Sequence, residues 1–184
     1  MLDLVLAAAK LQQDLDSIDL PNCIIGGLAL QAWGETRMTR DADFTVLTNF
    51  SNEANKISAI LQFLTPRRPD AFEFALQNRV VLGYVSENVS VDIGLGGFDY
   101  EAALVQRAVP FEFAPEVWLR VCSAEDLIVM KVFAGRTRDW ADVQSIIDRQ
   151  ASLDWNRIEV DLMPLLELSE APEGLAALRK MRKN

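Results

Sequence analysis

The chain has 184 residues, 50% of them hydrophobic and 24% charged, and its 27 acidic residues outnumber 18 basic ones to leave a net charge of −9. A chain of this length buries about 70% of its unfolded surface, enough for a core without disulfide or metal staples, and the composition excludes disorder, collagen-like repeats and coiled coil. The acidic balance argues against a broad electrostatic grip on nucleic acid, and the absence of histidine removes the Ser-His-Asp triad, the Cys-His dyad and histidine zinc sites.

The first helix spans residues 2–15, with Leu4, Ala8, Leu11 and Leu15 on one stripe. Pro21-Asn22 then punctuates the chain. Cys23-Ile24-Ile25 is a short apolar strand that ends in Gly26-Gly27, and Leu28–Trp33 is helical up to Gly34. The longest uncharged run, Leu20–Gly34, is too short and too polar to span a bilayer. Thr39–Leu47 alternates with period two: Ala42, Phe44 and Val46 form an apolar back, and Thr39, Asp41, Asp43 and Thr45 an opposite, acidic front. Asn52–Leu64 is a second amphipathic helix, followed by the basic turn Pro66-Arg67-Arg68-Pro69-Asp70. Two strands, Arg79–Val85 and Val89–Leu95, form a hairpin through Ser86-Glu87-Asn88. A short helix over Tyr100–Arg107 and weaker strands at Pro110–Phe113 and Val117–Val121 come next. Beyond Ser123 the pattern is helical. Ser123 and Asp126 fit a capping box that opens a helix to about Ala134, and further helices cover Asp139–Gln150, Trp155–Leu168 and Gly174–Lys183. The expected class is α+β, a small mixed sheet with a C-terminal helical half. The division is a core over residues 1–121 and a helical region over 122–184 packed on it. Cys23 and Cys122 sit in apolar stretches and read as buried thiols of a reducing cytoplasm. Asp3, without a basic n-region, argues against a secretory signal.

Four features bear on chemistry. Asp41 and Asp43 lie two apart on a strand, so their carboxylates point the same way. Two such charges repel unless a cation lies between them, and hard oxygen donors suit Mg²⁺ or Mn²⁺; a solvated strand edge is the plainer alternative. Gly26-Gly27 between a strand and a helix lets backbone approach a ligand and offers helix N–H groups to phosphate, or it serves tight packing. Asp92, opposite in face to Val89, Val91 and Ile93, completes a three-carboxylate site if its strand neighbours that of Asp41 and Asp43. Lys131 interrupts an otherwise apolar helix. Its ammonium reaches an anion, snorkels to water, or pairs with a nearby acid such as Asp139 or Asp142.

Taken together, Ile24-Ile25-Gly26-Gly27, Asp41-Ala42-Asp43-Phe44 and Val91-Asp92-Ile93 resemble the nucleotidyltransferase fold of the DNA polymerase β superfamily. The stretch Arg37-Met38-Thr39-Arg40-Asp41-Ala42-Asp43 resembles the Arg-x-Thr-x-Asp-x-Asp pattern of the AbiEii/AbiGii-type toxin nucleotidyltransferases. Ser123–Lys131 and Arg136–Val143 are similar to that family too. The likeness covers roughly Cys23 to Ile147. It implies a metal-dependent transfer of a nucleotidyl group from a nucleoside triphosphate to a hydroxyl acceptor, by a toxin of a toxin–antitoxin or phage-defence system. Asp41, Asp43 and Asp92 are then the catalytic metal ligands, and Gly26, Gly27, Arg37, Thr39 and Lys131 the phosphate-binding residues. The implied partners are a nucleoside triphosphate, an acceptor that is RNA, protein or a small molecule, and an antitoxin protein, with no membrane. A non-catalytic antitoxin or nucleotide-binding module of the same fold is the alternative, disfavoured because such a protein need not keep three mutually repelling acids.

Overall fold

In the computed structural model, seven strands among the described residues form one mixed sheet in the order β3-β4-β5-β2-β1-β7-β6. The strands are β1 (Asn22–Ile25), β2 (Asp41–Leu47), β3 (Thr65–Pro66), β4 (Val80–Ser86), β5 (Val89–Gly96), β6 (Val109–Ala114) and β7 (Val117–Val121). The structure describes residues 2–50, 52–169 and 171–182. They fall into two compact units: Met1–Ala29 with Met38–Cys122, and Leu30–Arg37 with Ser123–Asn184.

The first unit holds the whole sheet. Its centre is β2, antiparallel to β1 and parallel to β5. Hairpin β4–β5 extends the sheet on one side, and β7–β6 on the other. The apolar back expected of β2 is buried: Ala42, Phe44 and Val46 are fully covered, as are Val91 and Ile93 of β5. Each large apolar side chain among them contributes about 1.5–3 kcal/mol by leaving water, and this fixes the register, since a one-residue slip would turn the acids into the core. The front differs in one respect from the alternation pattern. Thr45 is buried with the core residues, so the acidic face is open only at the start of β2. Helix α1 (Leu2–Ser17) buries Leu4, Ala8, Leu11 and Leu15. It is pinned by Gln12, which donates to Asn22 Oδ1 at 3.0 Å and accepts from the Arg120 N–H at 2.8 Å. Helices α3 (Glu53–Leu61), α4 (Ala71–Asn78) and α5 (Asp99–Gln106) complete the unit. Helix α4 has no counterpart in the sequence expectation. Its buried stripe consists of Ala71 and Ala75, small residues that leave little apolar signal.

The second unit is helical. Helix α6 (Ala124–Ala134) packs against α7 (Thr137–Arg149), α8 (Trp155–Leu168) and α9 (Glu173–Met181). The Ser123 hydroxyl caps α6, accepting from the Asp126 N–H at 3.2 Å. Gly135, at φ 65°, ends it, its N–H donating to Lys131 O at 3.0 Å. Lys183, the expected end of the last helix, lies outside the described residues. Helix α2 (Gly26–Trp33) starts in the first unit and finishes in the second, where Gln150 Nε2 donates to Trp33 O at 2.7 Å. Among the described residues no helix is long and apolar enough to cross a membrane.

Candidate active site

The site is built where β1 turns into α2. Gly26 has φ 61°, the left-handed region that glycine enters without steric cost. A Cβ there would lie 2.6 Å from Asp43 Cγ, and one on Gly27 would lie 2.9 Å from Thr39 Cβ. Both glycines are therefore required by close approach: the turn sits directly against the acidic strand. The Gly27 N–H, at the start of α2, donates to Asp43 Oδ2 at 3.3 Å. The helix N-terminus faces a carboxylate, as its partial positive charge favours. Thr39 Oγ1 donates to Asp41 O at 3.3 Å and so steadies the entry to β2.

Strands β2 and β5 run parallel with Asp43 opposite Asp92 and Asp41 opposite Ser90. The sequence placed Asp41 and Asp43 on one face of a strand; the sheet adds Asp92 from the neighbouring strand to that face. Like charges directly opposite each other destabilise a sheet. Each carboxylate here has a different partner: Asp41 accepts from Ser90 Oγ, Asp43 from the Gly27 N–H, and Asp92 from Arg67 Nη2. Ser90 and Arg67 are residues that sequence reasoning left out. Ser90 lies two before Asp92 and hence on its face. Arg67 belonged to a recognisable basic turn, but nothing local in the sequence says which acid that turn meets.

Asp41, Asp43 and Asp92 supply the all-oxygen donors that a hard divalent cation prefers. With Asp92 turned onto Arg67, the three do not gather as a preformed cage, and among the described residues no other group of three or more Asp, Glu or Cys side chains does so. The guanidinium of Arg67 is the positive charge standing beside this acidic set. The donor chemistry is of the kind a hard divalent cation takes, and the Arg67 guanidinium occupies Asp92.

Arg37 and Lys131, expected as phosphate ligands, are found in the second unit within one ion-pair cluster built on the buried Lys131, Asp139 and Asp142. Lys131 Nζ donates to Asp142 at 2.6 Å and to Asp139 at 3.2 Å. Arg37 forms a two-pronged pair with Asp142, both contacts at 3.0 Å, and Arg136 donates to Asp139 at 2.6 Å. Burial alone would raise the carboxyl pKa of Asp139, but hydrogen bonds from Arg136 and Lys131 outweigh it and hold it below its ordinary value. Asp142 is also lowered, with burial opposed by hydrogen bonds from Arg37 and Lys131.

The glycine turn abutting an acidic strand, with a third acid on the parallel neighbour, is consistent with the polymerase β-like class of nucleotidyltransferases. The chain belongs to the AbiEii family: residues 23–171 match the model of the nucleotidyl transferase AbiEii toxin of type IV toxin–antitoxin systems. It is thus a nucleotidyltransferase. The fold is similar to the crystal structure of an antigenic nucleotidyltransferase-like protein from Paracoccidioides brasiliensis, with a TM-score of 0.56 and 17% identity over 98% of this chain and 94% of that one. A lower likeness, TM-score 0.47 at 18% identity, covers 96% of this chain and 89% of the antibiotic-resistance factor ANT(2'')-Ia in its solution structure. No curated protein matches the chain.

Proposed function

We propose that the protein transfers a nucleotidyl group from a nucleoside triphosphate to a hydroxyl acceptor, with Mg²⁺ or Mn²⁺ bound at Asp41, Asp43 and Asp92. The observation that carries the reading is the register of β2 on β5, which sets Asp43 opposite Asp92 beside the Gly26-Gly27 turn. A divalent ion there would offset phosphate charge and favour loss of a proton from the attacking hydroxyl. Asp41 and Asp43 would hold the ion, and Asp92 would add a carboxylate from the neighbouring strand. Gly26 and Gly27 keep the turn free of side chains, so the triphosphate lies close to backbone at the start of α2. Thr39 fixes the spacing between that turn and Asp41.

Arg37 and Lys131 act in this reading through Asp142 and Asp139, by holding the helices of the second unit together. The acceptor is RNA, a protein or a small hydroxylated molecule. The family supports action as a toxin controlled by an antitoxin, in the cytoplasm where triphosphates are abundant. The test is transfer of label from each of the four α-labelled nucleoside triphosphates, with Mg²⁺, into RNA, protein and small-molecule fractions of a bacterial extract. Label should enter one fraction, and Asp41→Asn and Asp43→Asn should each abolish it. Incorporation that survives both substitutions or excess chelator would overturn the proposal.

A further inference from the structure

Arg67 is placed with unusual definition for a residue in a turn. Its backbone N–H donates to Leu82 O at 3.1 Å, which continues the β3–β4 pairing by one residue. Leu82 pairs with Asp92 across β4–β5, and Asp92 with Asp43 across β5–β2. Arg67, Leu82, Asp92 and Asp43 thus form one row across four neighbouring segments of the sheet. The Arg67 side chain runs along this row and its Nη2 meets the Asp92 carboxylate. Its Nε–H is buried and has no hydrogen-bond partner. A buried unpaired donor is costly, and it leaves Arg67 one N–H to offer a ligand. The neighbouring Arg68 is spent differently, in a two-pronged pair with Asp70 at 2.6 and 2.8 Å.

Resting on the reading that Asp41, Asp43 and Asp92 bind a divalent ion, we infer that Arg67 is a phosphate-positioning residue that exchanges partners: it neutralises Asp92 in the unliganded protein and passes to a triphosphate oxygen when a cation takes Asp92. Three features support the exchange. The pair is accessible, with side chains 25% and 41% exposed, so it can open without unfolding the sheet. A cation on Asp92 removes the attraction that holds the guanidinium there. The unpaired Nε–H, with the Nη groups, gives the planar fork that matches a phosphate's oxygens. Arginine and metal then compete for one carboxylate but cooperate on one anion.

That double relation gives the test a sign that a structural role lacks. Mn²⁺ alone is titrated into the full-length protein by electron paramagnetic resonance, and inorganic tripolyphosphate is titrated with Mg²⁺ present by calorimetry. Arg67→Gln should bind Mn²⁺ roughly tenfold more tightly than wild type, and the polyphosphate roughly tenfold more weakly, each about 1.4 kcal/mol. Arg67→Lys, keeping the charge without the fork, should hold Mn²⁺ affinity near wild type and recover part of the polyphosphate affinity. If Arg67→Gln weakens both ligands or changes neither, while wild type binds Mn²⁺ and Asp43→Asn does not, the exchange is refuted and the metal site stands. If neither wild type nor Arg67→Gln binds Mn²⁺, the exchange and the metal reading fall together.

Discussion

Lys131→Met separates a structural charge from a substrate-binding one. The Lys131 side chain is 7% exposed, and its partners Asp139 and Asp142 are 1% and 5% exposed. Removing one member of a buried ion pair costs about 3–5 kcal/mol when the other charge is stranded. Here neither acid is stranded, because Arg37 stays on Asp142 and Arg136 on Asp139. What is lost is two hydrogen bonds between charged groups, offset by better burial of the methionine tip. That reduces the expected cost to about 2–3 kcal/mol. For a chain of this size each kcal/mol lowers Tm by about 2–4 °C, so the variant should melt about 4–12 °C lower. Urea unfolding followed by far-ultraviolet circular dichroism, with the slope held to that of wild type, gives the free energy directly. A loss below about 1 kcal/mol would refute the argument that the cluster holds this unit together. Affinity for Mg²⁺-triphosphate measured on the same variant should be unchanged; a drop without a stability loss would place Lys131 among the phosphate ligands instead.

Asp43→Asn should leave the melting temperature of the unliganded protein unchanged or higher, since it keeps an acceptor for the Gly27 N–H while removing a charge opposite Asp92. The same variant should lose most of the thermal stabilisation that Mg²⁺ and triphosphate give wild type, about 2.7 kcal/mol at a ligand concentration of 100 Kd. Gly26→Ala forces a side chain into the left-handed region and against Asp43; a loss of at least about 1–2 kcal/mol in urea is expected, and a neutral result would show that the turn relaxes. The pH dependence follows from Asp139 and Asp142, whose folded pKa values lie below the ordinary 3.8. A depressed carboxyl pKa stabilises the fold above the unfolded value and loses that contribution as pH falls through the folded one. Wild type should therefore lose stability from about pH 5 downward. Asp142→Asn, weaker at neutral pH, should lose less over the same interval, as read from urea midpoints at each pH.

Most of the strand pattern around the site could be read from short-range alternation. Alternation in Asp41–Leu47 separated Phe44 and Val46 from the two acids, and the hairpin after Arg79 put Asp92 on an outward face. The Ser123 cap marked the start of α6 because its chemistry is local. What escaped has a common physical cause. Thr45 is covered although its position matches that of the acids, because burial depends on what another element lays over the sheet. Helix α4 uses alanines to contact its neighbours, and alanine carries little hydrophobic contrast. The partners of Lys131 were foreseeable as acids a few helical turns downstream, Asp139 and Asp142. Arg37, 105 residues before Asp142, was not. The link between Arg67 and Asp92 is of the same kind: it depends on β3 joining the sheet edge through two paired residues, Thr65 and Pro66, too few to leave a period.

The arrangement of charge bears on why this sheet face is built as it is. Two acids in register on adjacent strands, with a third two residues along, oppose folding through their mutual repulsion. Valine or threonine at Asp43 and Asp92 would give a better sheet. The fold moderates the repulsion in three separate ways, with a backbone N–H, a hydroxyl and a guanidinium, and none of these is a fully buried ion pair. The contrast with Lys131, Asp139 and Asp142 is direct. There the charges are covered and matched by two arginines, an arrangement that resists exchange. At Asp41, Asp43 and Asp92 these ties lie at a partly exposed surface, so each can be given up to an incoming ion without breaking the core beneath. On the proposed reading, carboxylates kept on such ties are the ones a cation would take, and the Gly26-Gly27 turn would bring the start of a helix to the same place for an anion.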